Sequence, residues 1–202
     1  MASSFDASSL RARNKQKVRQ KILEASMSLA TTYGIESLTA DAISAKAEIG
    51  RATFFRYFDS KEAALIAGFY EERLAALMDA LASAPSKLGP MDAVIWTFRT
   101  LGRRSDVDLK FVRLHAQMVT ASPVMRAKSY EFHARYEQAI ADAIAWRFKS
   151  LKRNDLRPRL LAAATLSVVQ ACIEQWANTS ESADPSVLVL SALQHLKSGF
   201  SA

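Results

Sequence analysis

Between Thr39 and Tyr57 the chain reads TADAISAKAEIGRATFFRY, and this stretch decides the fold. Thr39 is a helix N-cap whose hydroxyl can accept an orphan backbone N–H, and Ala42, Ile43 and Ala47 follow at helical spacing for about two turns. Glu48, Ile49 and Gly50 interrupt the pattern as a turn. Arg51 to Tyr57 then makes a second short helix. Neither helix is stable alone, because nucleation is costly and fewer than about 12 residues form too few bonds to offset it. A shared apolar contact has to hold them, with Ile43 and Ala47 on the first helix meeting Ile49 in the turn and Phe54 on the second. Small Ser44 lets the backbones approach. Two helices joined in this way form a helix-turn-helix, and the second exposes Arg51, Thr53 and Arg56, polar groups able to reach base edges or phosphates in a major groove.

Outward from this unit every long periodic segment is helical. Val18, Ile22, Ala25, Leu29 and Ala30 pattern a helix from Lys15 to Tyr33, stopped by Gly34. Ser60 caps a long helix through Leu65, Phe69, Leu74 and Met78 to about Ala84. Pro85 and Gly89-Pro90 introduce a helix that ends at Gly102, and Ser105 or Asp106 caps the next. Ser122-Pro123 opens a helix to about Ser150, Asp155 and Pro158 one to about Asn178, and Asp184-Pro185 a final one to Lys197. The expectation is an all-α protein of about nine helices with no strand. Residues 1–10, Ser-rich and poor in apolar groups, read as a disordered tail.

Composition supports this class and excludes others. The 202 residues are 50% apolar and 23% charged, with 6 Gly and 5 Pro, too few turn formers for an all-β sandwich. The formal net charge is +7, and between Leu10 and Lys21 stand Arg11, Arg13, Lys15, Lys17, Arg19 and Lys21 without an acid. Such a run is either a solvated helix face or a surface for an anionic partner. A lone cysteine, Cys172, forms no internal disulfide and fits a reducing compartment. His115, His133 and His195 lack metal-ligand spacing, no glycine loop cradles phosphate, and Cys172 sits in no nucleophile motif, so no enzyme, metal or cofactor is expected. The N-terminal residues lack the apolar core of a secretory signal. The longest mostly apolar run, Leu160 to Val169, is about half of the roughly 20 residues a membrane span needs. A basic helix on a membrane surface is the competing reading of Arg11–Lys21, but the apolar face it needs is also needed to pack the helix-turn-helix. A cytoplasmic protein is expected.

Ile22-Leu23-Glu24-Ala25-Ser26, Tyr33-Gly34-Ile35, Leu38 to Ile43, and Arg51-Ala52-Thr53-Phe54-Phe55-Arg56-Tyr57-Phe58-Asp59-Ser60-Lys61-Glu62-Ala63 together resemble the DNA-binding domain of the TetR family of bacterial transcriptional regulators. The resemblance implies a helix-turn-helix domain over 11–62 and a ligand-binding and dimerisation domain over 63–202. It implies DNA contact at Thr39, Gly50, Arg51, Thr53, Phe55, Arg56, Tyr57 and Lys61. Arg11 and Arg13 are read either as an arm in the minor groove or as phosphate contacts. Three residues depart from the usual pattern. Glu48 stands where the family often has Gly and is expected at positive φ, at a cost of about 1 kcal/mol. Gly50 replaces a Ser or Thr cap, and Phe55 a Tyr whose hydroxyl commonly meets phosphate.

The second domain is read from its apolar faces. Phe69, Met78, Trp96, Phe111, His115, Met118, Phe132, Tyr136 and Gln170 are large or polar groups on such faces, suited to line an effector pocket, although each alone is more often plain core. His115 serves either as a hydrogen-bonded core histidine or as a ligand contact. Arg99, Arg103 and Arg104 are placed to meet a charged head. Ser122 to Ala127 and Leu156 to Leu160 are loosely similar to effector domains of actinobacterial-type members thought to sense acyl-CoA-like or other lipophilic ligands. A homodimer is expected through Leu161, Thr165, Val168, Cys172 and Trp176 on the eighth helix and Val189, Ala192, Leu193 and Leu196 on the ninth. The whole then reads as a regulator of double-stranded operator DNA, a repressor released when a small lipophilic effector shifts the population of the fourth helix's positions.

Overall fold

The computed structural model describes residues 3–104, 109–149, 152, 154–179 and 184–199, with side chains from Leu10 onward except that of Arg11. Among the described residues there are nine helices and no strand: α1 Ser3–Tyr33, α2 Ala40–Lys46, α3 Arg51–Tyr57, α4 Lys61–Ala82, α5 Pro90–Leu101, α6 Leu109–Ala121, α7 Pro123–Ala145, α8 Arg157–Ala177 and α9 Pro185–Ser198. The chain divides into two compact units, Met1–Glu71 and Glu72–Ala202, with the division inside α4.

In the first unit, Ile22 and Leu23 of α1, Ile43 of α2, Phe54 of α3, and Leu65 and Ile66 of α4 are buried to within a few per cent. Phe54 is fully enclosed, which gives the two short helices the common core they need. Gly68 permits the approach of α4 to α1, since a Cβ there would come within 2.8 Å of Met27 Cγ and 3.3 Å of the Leu23 carbonyl oxygen. Beside this contact Arg19 donates to Glu71 at 2.7 Å and lies over the Phe58 ring, 5.3 Å from its centroid. α1 begins at Ser3, within the span whose composition predicts a tail. Once a helix is nucleated downstream, each further residue gains one backbone bond for one pair of dihedrals, so weak helix formers are carried along.

In the second unit α8 packs against α6, α7 and α9, and α5 lies along α9. Ala93 and Thr97 of α5, Ile140 and Ile144 of α7, Ala162 and Thr165 of α8, and Leu193 of α9 are among the deepest of its side chains. Most helix starts are those the sequence predicts: Ser122 accepts from Met125 N, Asp184 accepts from Ser186 N, and Pro occupies the first turns of α5, α7, α8 and α9. The caps expected at Ser105 or Asp106 lie outside the described residues. α7 stops at Ala145, short of Ser150, where Arg147 N and Phe148 N turn back to the Ile144 and Ala145 carbonyls. The Arg147 guanidinium then donates to the carbonyls of Ala84, Pro85 and Leu88. α8 is long and apolar enough to cross a membrane by length and composition, a fuller apolar stretch than Leu160–Val169 alone. Here it is a bundle helix, although only 28% of its apolar window is buried within the chain.

Candidate nucleic-acid interface and effector region

The geometry of the reading unit follows from its turn. Ile49 N donates to the Ser44 carbonyl at 3.0 Å and Glu48 N to that of Ala45 at 3.1 Å, the paired bonds that close a helix through a left-handed residue. That residue is Glu48, at φ 57, as its place in the sequence predicts. A side chain there costs about 1 kcal/mol relative to glycine. Its carboxylate pairs with Lys21 of α1 at 3.0 Å, an exposed contact. Thr39 caps α2 by accepting from Ala42 N at 3.0 Å, and Ser60 caps α4 by accepting from Ala63 N at 3.1 Å.

Gly50 precedes α3 as its N-cap, extended at φ −76 and ψ 150 with no side-chain cap bond. Phe54 points inward, whereas Arg51, Phe55 and Arg56 are exposed and Thr53 and Tyr57 half-buried. Phe55 keeps 44% of its surface open. Arg51 lies over the Phe55 ring and Arg56 over the Tyr57 ring, 5.4 and 5.8 Å from the centroids. Lys61 Nζ donates to the Leu38 carbonyl at 2.7 Å, which ties the start of α4 to the residue before Thr39. The structure thus links Thr39, Arg51, Phe55, Arg56, Tyr57 and Lys61 through α2, α3 and the first turn of α4. Arg13 stands exposed on a helix rather than on an extended arm, and the Arg11 side chain lies outside the described residues. The acids that neutralise cations of this face, Asp41 on Arg51 and Glu48 on Lys21, are absent from the sequence-based site. Only proximity in space identifies them.

Of the effector candidates, Phe69 lies in the first unit and the other eight in the second. Phe69 is buried in the first unit. Phe111, His115 and Tyr136 are buried in the second, and Met78, Met118, Phe132 and Gln170 are half-buried. Gln170 donates to Glu174 at 2.8 Å. Burial first, and Arg73 second, push the His115 pKa down to about 3, so the ring is neutral at physiological pH. His133 is lowered by burial too, against the opposing charge of Glu174. Of the nine candidates Trp96 alone lines the open groove of about 400 Å³ between α5 and α9, with Leu88 and Ile95 as apolar walls and Asp92, Arg99 and Lys197 at its rim. Lys197 pairs there with Asp92 at 2.7 Å. The sequence shows Trp96 and Arg99 but not that α9 is their opposite wall.

Burial divides the expected dimer stripe. Thr165 and Leu193 are fully enclosed within the chain, and Cys172, Trp176 and Val189 are at most 6% exposed, so they have almost no surface left for a partner. Leu161, Val168, Ala192 and Leu196 remain partly open. Rotated from that stripe, Leu156 at the N-cap and Leu160, Ser167 and Ala171 of α8 are exposed, with Ala164 half-buried among them. Burial also raises the Cys172 thiol pKa.

Comparison with known proteins agrees with this arrangement. The family of bacterial regulatory proteins described as tetR matches residues 22–67, and the MftR C-terminal domain matches residues 88–201. The HTH-type transcriptional regulator TcmR of Streptomyces glaucescens is 30% identical over 175 residues, which cover 83% of this chain and 76% of TcmR. MftR of Mycobacterium tuberculosis is 25% identical over 164 residues, 81% of this chain and 82% of that protein. Among solved structures, FadR of Thermus thermophilus, a TetR-family repressor in complex with lauroyl-CoA, superposes with a TM-score of 0.71 at 21% identity, covering 91% of this chain and 95% of that one.

Proposed function

The chain belongs to the TetR family of bacterial transcriptional regulators, DNA-binding proteins that are not enzymes, and from that premise we propose that it is a repressor released from its operator by a lipophilic anion. The observation that carries the DNA half is the α2–turn–α3 unit, which buries Phe54 and leaves Arg51, Phe55 and Arg56 open, with Thr53 half-buried between them, on one short helix. Arg51, Thr53 and Arg56 supply the groups that read base edges, and Lys61 and Tyr57 contact phosphate. The run Arg13 to Lys21 adds sequence-independent attraction and sets the salt dependence of binding.

The protein acts as a homodimer in the cytoplasm, with two α3 helices held about one helical turn of DNA apart. The uncovered apolar face of α8 supports this reading. Leu156, Leu160, Ala164, Ser167 and Ala171 recur at helical spacing, and small groups among large ones let two helices approach closely. Leu160→Glu and Ala164→Glu place a charge on that face and are expected to give monomers in sedimentation at micromolar concentration.

The effector is a long-chain acyl-CoA or a related amphipathic anion, as the lauroyl-CoA of the Thermus relative suggests. It acts by differential affinity for the DNA-bound and released states, a coupling of about 1–3 kcal/mol. The test is selection of bound duplexes from genomic fragments, followed by titration of the complex with acyl-CoAs of increasing chain length. Salt-dependent, sequence-selective binding weakened five- to 150-fold by one member supports the whole reading. Selective binding that no acyl-CoA or hydrophobic aromatic changes removes the effector class, and unselective binding removes the regulator.

A further inference from the structure

Arg51 opens α3 and is held from two sides. From α2, Asp41 accepts a hydrogen bond from Arg51 Nη1, in a first turn that the Thr39 cap fixes. From its own helix, the Phe55 ring lies 5.4 Å from the guanidinium carbon, and that ring is braced edge-on against buried Phe54, centroids 5.2 Å apart. The core is thus connected through Phe54, Phe55 and Arg51 to Asp41.

Both partners of the ion pair are open to water, with side chains 61% and 65% exposed. A pair this exposed adds little to folding stability, so its consequence lies in the freedom of the guanidinium. A free arginine samples many rotamers and meets phosphate as readily as a base. Here one N–H is engaged by the carboxylate and one face by the ring. The remaining N–H groups are left for one planar acceptor pair, such as guanine O6 and N7 in a major groove. The same carboxylate repels phosphate, so Arg51 cannot become a sliding backbone contact without first leaving Asp41.

We propose that Asp41 is a specificity-determining positioning residue, which turns Arg51 from a general phosphate contact into a reader of a guanine edge. This rests on the reading of α3 as the helix that meets DNA. Asp41 itself need not touch DNA.

The test uses the full-length protein and a duplex selected by it from a randomised pool. Affinities are measured by fluorescence anisotropy on that duplex, on variants with each G·C pair changed in turn to A·T, and on random duplex. The wild type is expected to lose about tenfold or more at one G·C pair, and Arg51→Ala to lose that discrimination. Asp41→Asn is expected to shrink the penalty at that same pair to about threefold while binding random duplex a few times more tightly, because a repulsive charge is gone. The double variant then matches Arg51→Ala at that pair. Arg51→Lys, which keeps the charge but lacks the planar fork, also loses the discrimination. A purely structural effect lowers affinity on every duplex alike and leaves the ratio intact, and that result, or an unchanged penalty in Asp41→Asn, overturns the inference while leaving α3 as the reading helix. Failure of the wild type to select any duplex overturns both.

Discussion

Both compact units cap helix starts locally, but they differ in how far their other closures reach. In the first, each closure is local: Thr39 with Ala42 three residues on, Ser60 with Ala63, and Ile49 with the Ser44 carbonyl five residues back. In the second, two arginines reach far along the chain. Arg113 of α6 donates to the carbonyls of Trp176, Ala177 and Thr179, 63 to 66 residues away, and lies 4.0 Å over the Trp176 ring, while Gln117 joins it at Ala177. Arg147 takes the carbonyls that follow α4 across 59 to 63 residues. A local bond forms as soon as its helix does, whereas a distant one carries loop-closure entropy and forms only when the bundle has assembled. The reading unit can therefore be inferred from nineteen consecutive residues, whereas in the second unit the sequence shows the helix starts and only the tertiary structure shows these distant closures.

The strongest way to test this contrast is to remove a distant closure. Arg113→Ala strips at least three carbonyls of a charged donor and uncovers Trp176. A hydrogen bond to a charged group is worth about 1.5–3 kcal/mol, so about 3 kcal/mol of stability should be lost in urea unfolding. The loss should appear in the Glu72–Ala202 unit, with little change in hydrogen exchange of α2 and α3. Equal loss of protection in both units would show that they unfold as one.

Acid tests the same unit less severely. The folded pKa of His115, about 3, lies below its unfolded value of 6.5. The stability it contributes is complete above pH 6.5 and falls as the pH drops towards 3, because the unfolded state takes up the proton first. Between pH 6.5 and 5 the loss is about 2 kcal/mol. His115→Leu should remove most of that slope in denaturant midpoints, with a smaller part left to His133.

In the reading unit the expected changes are smaller and of opposite sign. Glu48→Gly relieves the left-handed strain at the loss of one exposed ion pair, and a gain of about 1 kcal/mol in thermal stability is expected. It also removes a negative charge from the α2–α3 turn, so affinity for random duplex should rise. The smallest effect concerns Phe55. Its ring is open along one side, so Phe55→Tyr adds a hydroxyl at the exposed face. One neutral donor to phosphate is worth about 1 kcal/mol, about fivefold in affinity, with no change in the salt slope. An unchanged affinity would place this ring away from the backbone of DNA.

What was legible in the sequence follows the same division. Thr39, Ser60, Ser122 and Asp184 announce their helices because a cap acts within three residues. Glu48 announces its φ because a helix that reverses within three residues needs a left-handed position. Asp41 carries no such mark: an acid in a first turn favours a helix wherever it points, and only the place of α3 makes it a partner of Arg51. The spacing from Leu161 to Trp176 marks an apolar stripe on α8, and periodicity alone does not say whether its own bundle or a partner takes that stripe. Trp96 and Arg99 were found, but the opposite wall of their groove lies almost a hundred residues further on, where no local spacing points to it.

The two-sided character of α8 has a consequence in mass action. Only 28% of its apolar window is buried within one chain, and in the proposed dimer the burial of the rest depends on how often two copies meet. For the proposed dimer, stability is then a function of total protein concentration, and dilution lowers the thermal midpoint even though no contact within the chain has changed. On that proposal, a chain newly made in small amounts is at its least stable, and it gains resistance to unfolding and proteolysis as its own concentration rises.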